Sequence, residues 1–217
     1  MSISGRRLLS MDTNALLGGF LTVFGTIFIA ELTDKDALLL LSLATKTRPL
    51  LVFVGGAIAF TITSAIIVTF GSVLVVYIPI YWIKLAGGTI MLAYAVLEYL
   101  RGLQVDARLE DDERRFIKHI GKNELHVLLG IVGSLILLDL AGDTTELLTI
   151  VFVAQYGDAL LVLAGAVAAL VAASALETVL GNRLGRLLSS RNVRYLSVLV
   201  FLVIGSVVVV STVFGLA

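Results

Sequence analysis

Glu31, Asp34, Lys35 and Asp36 place four ionisable groups within the six residues ELTDKD, between an apolar run from Ala15 to Ala30 and another from Ala37 to Ala44. A second acidic stretch, with Asp139, Asp143 and Glu146, lies about half a chain later in the same kind of context. Each acid or base at the centre of a membrane helix costs about 2.5–3.5 kcal/mol, so two such clusters demand a purpose. On a helix Glu31 and Asp34 share a face, and Asp139, Asp143 and Glu146 form a stripe at spacings of four and three. Lys35 is the one base in either stretch, so the carboxylates outnumber their counter-charge.

Three kinds of chemistry fit that excess. Lys35 pairs with Glu31 or Asp36 and the other acids are protonated or interfacial; or the acids form a proton or sodium path beside an organic substrate; or converging carboxylates bind a divalent cation, which calls for hard oxygen donors, six to eight of them for calcium. Negative charge in a low dielectric is best satisfied by a metal ion or by protons. The two exclude each other at the same oxygens, so exchange of one for the other needs no separate coupling device. Glu31, Asp34, Asp139 and Asp143 are the core ligand candidates, with Asp36, Glu146 and Thr145 behind them and Lys35 as a local counter-charge.

The elements that position these groups belong to a membrane. Of 217 residues 59% are apolar and 15% charged, against about 25% charged in a soluble domain, and mean hydropathy is +1.04. Apolar runs recur at about the 18 residues that a spanning helix needs. The fold expected is an all-α, polytopic membrane protein. A net charge of zero points to no nucleic-acid partner, and the absence of cysteine excludes disulfides and thiolate ligands. His119 and His126 read as solvated or interfacial. Arg6 and Arg7 precede no small-residue cleavage site, so the first span reads as a retained helix rather than a signal peptide.

Six spans are expected: Ala15 to Ala44, Leu50 to Tyr77, Tyr81 to Leu100, Leu125 to Gln155, Ala159 to Leu180 and Val193 to Phe214. Pro49, Pro79, the Tyr156-Gly157-Asp158 stretch and Gly181-Asn182-Arg183 punctuate them. They divide as 1–101, a first three-helix repeat; 102–123, a linker, solvated or lying as a short amphipathic helix on the membrane surface; and 124–217, a second three-helix repeat. The loops after spans one, three and five carry twelve lysines and arginines, from Lys46 to Arg194, against Arg6, Arg7 and Lys84 opposite. By the positive-inside rule the central loop is cytoplasmic and both termini lie outside. The lack of sorting signals favours a prokaryotic plasma membrane.

Spans one and four, at about 30 residues, exceed what a 30 Å hydrocarbon core requires. Breaks at Thr33-Asp34 and Ala141-Gly142 would free backbone groups at mid-membrane for an ion. An offset of about 109 residues places Asp34 on Asp143, Pro49 on Asp158 and Gly56-Ala57-Ile58-Ala59 on Gly165-Ala166-Val167-Ala168. Three spans per half make this an inverted repeat, with the two acidic stretches facing each other. The small residues of spans two and five are a packing signal. Thr61, Thr63 and Ser64 are expected to bond back to their own helix more readily than to a site. Glu177, near Arg183, reads as an interfacial pair or gate rather than a ligand.

The ELTDKD stretch resembles the E-x-G-D-K/R-S/T signature of the cation/proton antiporters related to transmembrane protein 165, in the lysine-exporter superfamily. GDTTELLTI, from Gly142 to Ile150, resembles that family's G-D-R-S-Q-x-x-T-I. The resemblance implies an exchanger, not an enzyme, that moves calcium or manganese out of the cytoplasm against protons, with the ion as cargo and no resident cofactor. The alternative within the superfamily is an exporter of a small, amino-acid-like organic ion driven by a proton or sodium gradient. A homo-oligomer is compatible with either. Thr33 replaces the first motif's glycine and Asp36 its hydroxyl residue; Thr144 replaces the second motif's base and Glu146 its glutamine. Leu140 stands where that motif carries glutamate, with Asp139 one position earlier; a one-residue helical bulge would let Asp139 recover the carboxylate, and otherwise Asp36 or Glu146 compensates or the ion differs.

Overall fold

Backbone restriction sets where the long apolar helices start and stop. A computed structural model of the chain describes residues 3–32, 35–101, 123–140, 144–184 and 190–215. Among them every regular element is a helix: α1 (Ile3–Glu31), α2 (Lys35–Lys46), α3 (Pro49–Tyr77), α4 (Ile80–Arg101), α5 (Glu124–Leu140), α6 (Thr144–Tyr156), α7 (Ala159–Leu184) and α8 (Ser190–Phe214). Pro49 opens α3 behind an extended Arg48, the position where a missing N–H costs nothing. Ile78 is extended before Pro79 and ends α3. Gly157 takes φ +65°, a conformation other residues avoid, and Asp158 then caps α7 by accepting from the N–H groups of Leu160 and Leu161 at 3.1 and 3.0 Å.

Among the described residues four helical stretches are long and apolar enough to cross a membrane: Asn14–Glu31, Pro49–Tyr77, Ile80–Leu97 and Ala159–Gly181. Shorter apolar helices run over Glu124–Leu137, Thr145–Tyr156 and Val198–Phe214. Leu50, Val76, Tyr77, Leu137 and Leu160 point outward, leaving an apolar perimeter that suits lipid and not water. The protein is an integral membrane protein.

Two expected boundaries change. The first helix starts at Ile3, not near Ala15, so its apolar part reaches crossing length by Glu31 before α2 is counted. Gly181-Asn182-Arg183 does not end α7, which runs to Leu184. Gly181 serves packing instead: a Cβ there would stand 2.4 Å from Leu41 O, so only glycine lets α2 lie this close. The expected breaks, Thr33-Asp34 and Ala141-Gly142, and the linker 102–122 lie outside the described residues; α1 ends at Glu31 and α2 begins at Lys35, while α5 ends at Leu140 and α6 begins at Thr144.

The halves interlock. Helix α1 packs on α7 and α5 packs on α3; α2 packs on α7 and α6 on α3; α3 meets α7, and α4 meets α8. The last pair closes through Gly88 and Gly205 and through the edge-to-face rings of Tyr94 and Phe201. Arg48 and Glu124 form an ion pair, which sets the start of α3 and the start of α5 at the same end of the bundle.

Glycine contacts fix the register between the halves. A Cβ on Gly165 would press on Val23 of α1, and a Cβ on Gly55 would press on Ile131 of α5. Gly181 meets Leu41 of α2, and Gly71 meets Ile150 of α6. Corresponding positions are therefore 108 residues apart in α1 and α5, 109 in α2 and α6, and 110 in α3 and α7. The single offset of 109 holds for the short helices alone; Arg48, not Pro49, is the counterpart of Asp158, each residue standing just before its helix.

Candidate ion site

Asp139 lies in the last turn of α5 and is 3% exposed, whereas Leu140 beside it is 45% exposed and faces outward. Burial of a carboxylate among helices requires donors or a cation close by. Thr63 of α3 supplies one donor: its Oγ1 donates to Asp139 Oδ2 at 2.7 Å, closer than the Ala59 and Phe60 carbonyls at 3.2 and 3.3 Å. The hydroxyl expected to bond back to its own helix thus reaches across to the acid. Thr61 does bond back, to Ala57 O at 2.6 Å, and faces outward.

Asp139 and Glu146 border one small cavity with Thr63, Ser64, Thr145 and Thr149. Its free volume is about 10 Å³, room for a single ion or water. Six oxygen-bearing side chains border a space of that size, and every polar side-chain atom they bring to it is a hard oxygen. Ile67 and Leu170 close it on the apolar side. Thr149, whose Oγ1 donates to Thr145 O at 2.9 Å, is absent from the candidates named from sequence. Its spacing of four from Thr145 was the available signal.

No bulge is needed to bring Asp139 there. Asp139 follows Ile131 by eight residues, as Glu31 follows Val23, and those two anchors sit on the corresponding glycines Gly55 and Gly165. Asp139 therefore takes in α5 the place Glu31 takes in α1, and α5 is regular helix through Leu140. The motif offset that matched Leu140 to Glu31 belongs to α2 and α6, not to α1 and α5.

Glu31 is fully buried at the end of α1 and does not border the cavity. Asp34 and Asp143, and the side chains of Lys35 and Asp36, lie outside the described residues. Among the described residues no three acids or histidines gather as a metal cluster. Glu177 is 1% exposed, inside the bundle, and the side chain of Arg183, its expected partner, lies outside the described residues.

The family described as divalent cation/proton antiporter GDT1 matches the chain twice, over residues 19–106 and 123–215, which together cover more than four fifths of it. No curated protein and no solved structure matches it.

Proposed function

This chain belongs to the divalent cation/proton antiporter family GDT1, a family of transporters, and on that premise we propose that it exports calcium, manganese or both from the cytoplasm in exchange for protons. The observation that carries this reading is the buried Asp139 bordering a one-ion cavity with Glu146 and four hydroxyls. Hard oxygen donors suit both cations. A space for one ion also weighs against an amino-acid-like cargo.

In this account Glu31 and Asp139, at equivalent helix ends, hold the cation together with Asp34 and Asp143. Asp36, Glu146 and Thr145 add oxygens. When the cation leaves, protons neutralise the same carboxylates, because bare charge in this interior is costly. The empty, unprotonated carrier is then the least stable form, and the cycle turns over as an exchange.

Six spans in two inverted repeats complete the proposal. Support comes from chain direction: contacts Gly19 to Leu161 and Gly165 to Val23 make α1 and α7 run the same way. Gly55 to Ile131 and Thr63 to Asp139 do the same for α3 and α5. Spans one and five, and spans two and four, must be parallel in a six-span chain. The central loop is assigned to the cytoplasm and both termini to the outside of a prokaryotic plasma membrane.

The experiment is reconstitution of the purified chain in proteoliposomes, with calcium or manganese added outside and lumenal pH followed by a dye. Cation entry should drive protons out and raise the lumenal pH. Cation entry without proton movement would refute exchange.

A further inference from the structure

Corresponding helix crossings agree for the long helices and differ for the short ones. Cα and Cβ positions permit the comparison, because every residue but glycine carries both whatever its side chain. A Cβ on Gly55 of α3 would stand 3.1 Å from Ile131 Cβ of α5, and one on Gly165 of α7 would stand 3.0 Å from Val23 Cβ of α1. The two long-helix crossings therefore have the same separation. At the short helices, a Cβ on Gly181 of α7 would lie 2.9 Å from Leu41 Cα and 3.0 Å from Ala44 Cβ of α2. The corresponding Cβ on Gly71 of α3 would lie 3.5 Å from both Ile150 Cα and Val153 Cβ of α6, which is ordinary contact. Helix α2 is drawn onto α7, while α6 stands off α3.

The two short-helix crossings lie at opposite ends of the bundle. Leu41, Ala44 and Gly181 are near the ends of α2 and α7 assigned to the cytoplasm, where Arg48 and Glu124 meet. Gly71, Ile150 and Val153 are near the ends of α3 and α6 assigned to the outside. There α6 leans on α4 instead, with Val151 against Gly87. Helix α6 also carries Thr145, Glu146 and Thr149 of the one-ion cavity, whose other walls include Thr63 and Ser64 of α3. A shift of α6 against α3 moves one wall of that cavity.

A carrier with inverted repeats turns its site from one side to the other when the halves exchange conformations. Equal long-helix frames with unequal short helices are what such an exchange would swap. We infer that α2 and α6 are the cytoplasmic and outer gates of the exchanger, closed in turn by seating on Gly181 and on Gly71, and that here the cytoplasmic gate is seated and the outer gate withdrawn. Gly71 then serves a conformation in which α6 comes as close to α3 as α2 now lies to α7. In that conformation a Cβ on Gly71 would press on backbone, as one on Gly181 would here, and a packed interior does not yield to it freely.

This inference rests on the proposed inverted repeat and cation/proton exchange, and its test separates it from the exchange reading. The full chain with Gly71→Ala, Gly181→Ala or Gly133→Ala is reconstituted, and manganese-driven proton movement is measured. Gly71→Ala fits the packing described, so it should unfold at the wild-type temperature and yet exchange about tenfold more slowly. A merely structural role for Gly71 would leave the rate alone. Gly133→Ala, with open space around it, should exchange as the wild type does. Single thiols three residues deeper than each glycine report the gates: Val68→Cys on the outer side and Thr178→Cys on the cytoplasmic side, both buried. With Gly71→Ala, an impermeant methanethiosulfonate should modify Val68→Cys faster from outside and Thr178→Cys more slowly from the cytoplasmic face. With Gly181→Ala both shifts should reverse. Wild-type exchange in Gly71→Ala, or labelling shifts of the same sign in both glycine variants, would overturn the inference and leave the exchange reading standing; Val153 against Ala44 would then set the difference in spacing. Manganese entry without proton movement in the wild type would refute exchange, and the labelling shifts would still decide the gates. If Gly181→Ala does not fold, Gly71→Ala decides by itself.

Discussion

Thr63 Oγ1 lies 2.7 Å from Asp139 Oδ2, a hydrogen bond that joins the middle of α3 to the last turn of α5 inside the bundle. It links a helix of the first half to an acid of the second. The same contact aims the carboxylate into the one-ion cavity and sets the register that makes Asp139 the equivalent of Glu31.

Thr63→Val keeps the side-chain volume and removes the donor. Groups that orient a metal ligand are typically worth 10–100-fold in affinity or activity. The KM for the cation should rise by about tenfold, with elution and thermal unfolding in detergent little changed. Thr61→Val, on the outer face of the same helix, is the control and should leave KM alone.

Gly181→Ala places a Cβ 2.4 Å from Leu41 O and 2.9 Å from Leu41 Cα. Backbone must move, and overpacking of this kind costs about 1–3 kcal/mol. Gly133, mid-helix in α5, has open space where a methyl would stand, with nothing within 4 Å, so Gly133→Ala should be neutral or stabilising by up to about 1 kcal/mol through helix propensity. Thermal unfolding in one detergent should order wild type and the two variants with Gly181→Ala lowest.

The pH dependence follows from competition for shared oxygens. Protons on the metal-loading side occupy the carboxylates that the cation needs, so acidifying that side from about pH 8 to about pH 6 should raise the KM for the cation. Acidifying the opposite side supplies the exchanged proton and should speed uptake. Initial rates in proteoliposomes with each face buffered separately measure both signs.

The chain lacks cysteine, so single thiols report topology directly. Arg48→Cys and Glu124→Cys are partners of an exposed ion pair and must react from the same side. Both should label with an impermeant maleimide from the cytoplasmic face, in inverted vesicles and not in intact cells. An exposed pair contributes about 0–1 kcal/mol, so neither change should unfold the protein.

Much of this is legible in the residues. Length, hydropathy and the two acidic stretches lead to a helical membrane protein and an ion exchanger, because carboxylates that outnumber their counter-charge in apolar runs admit few other uses. Pro49 and Pro79 mark helix starts because proline acts on its own backbone. What stays hidden depends on contacts between helices. Thr63 and Thr61 look alike two residues apart, and the packing of α5 on α3 alone decides which reaches an acid. Gly181 resembles a stop but is a contact point, since a glycine cannot announce which role it plays. Asp139 falls out of step with the motif at Leu140 when one offset is applied to three helix pairs whose registers differ by a residue each. Glu177 reads as an interfacial pair or gate from its neighbour Arg183, and its burial inside the bundle shows only once α7 is packed on α2.

The account turns on Asp139 as an exchanging carboxylate, and Asp139→Asn tests it at constant shape. In proteoliposomes loaded with a pH dye, calcium or manganese should raise lumenal pH with the wild type. With Asp139→Asn the initial rate should fall by about tenfold or more while the protein elutes unchanged. Wild-type exchange by Asp139→Asn would contradict the central claim.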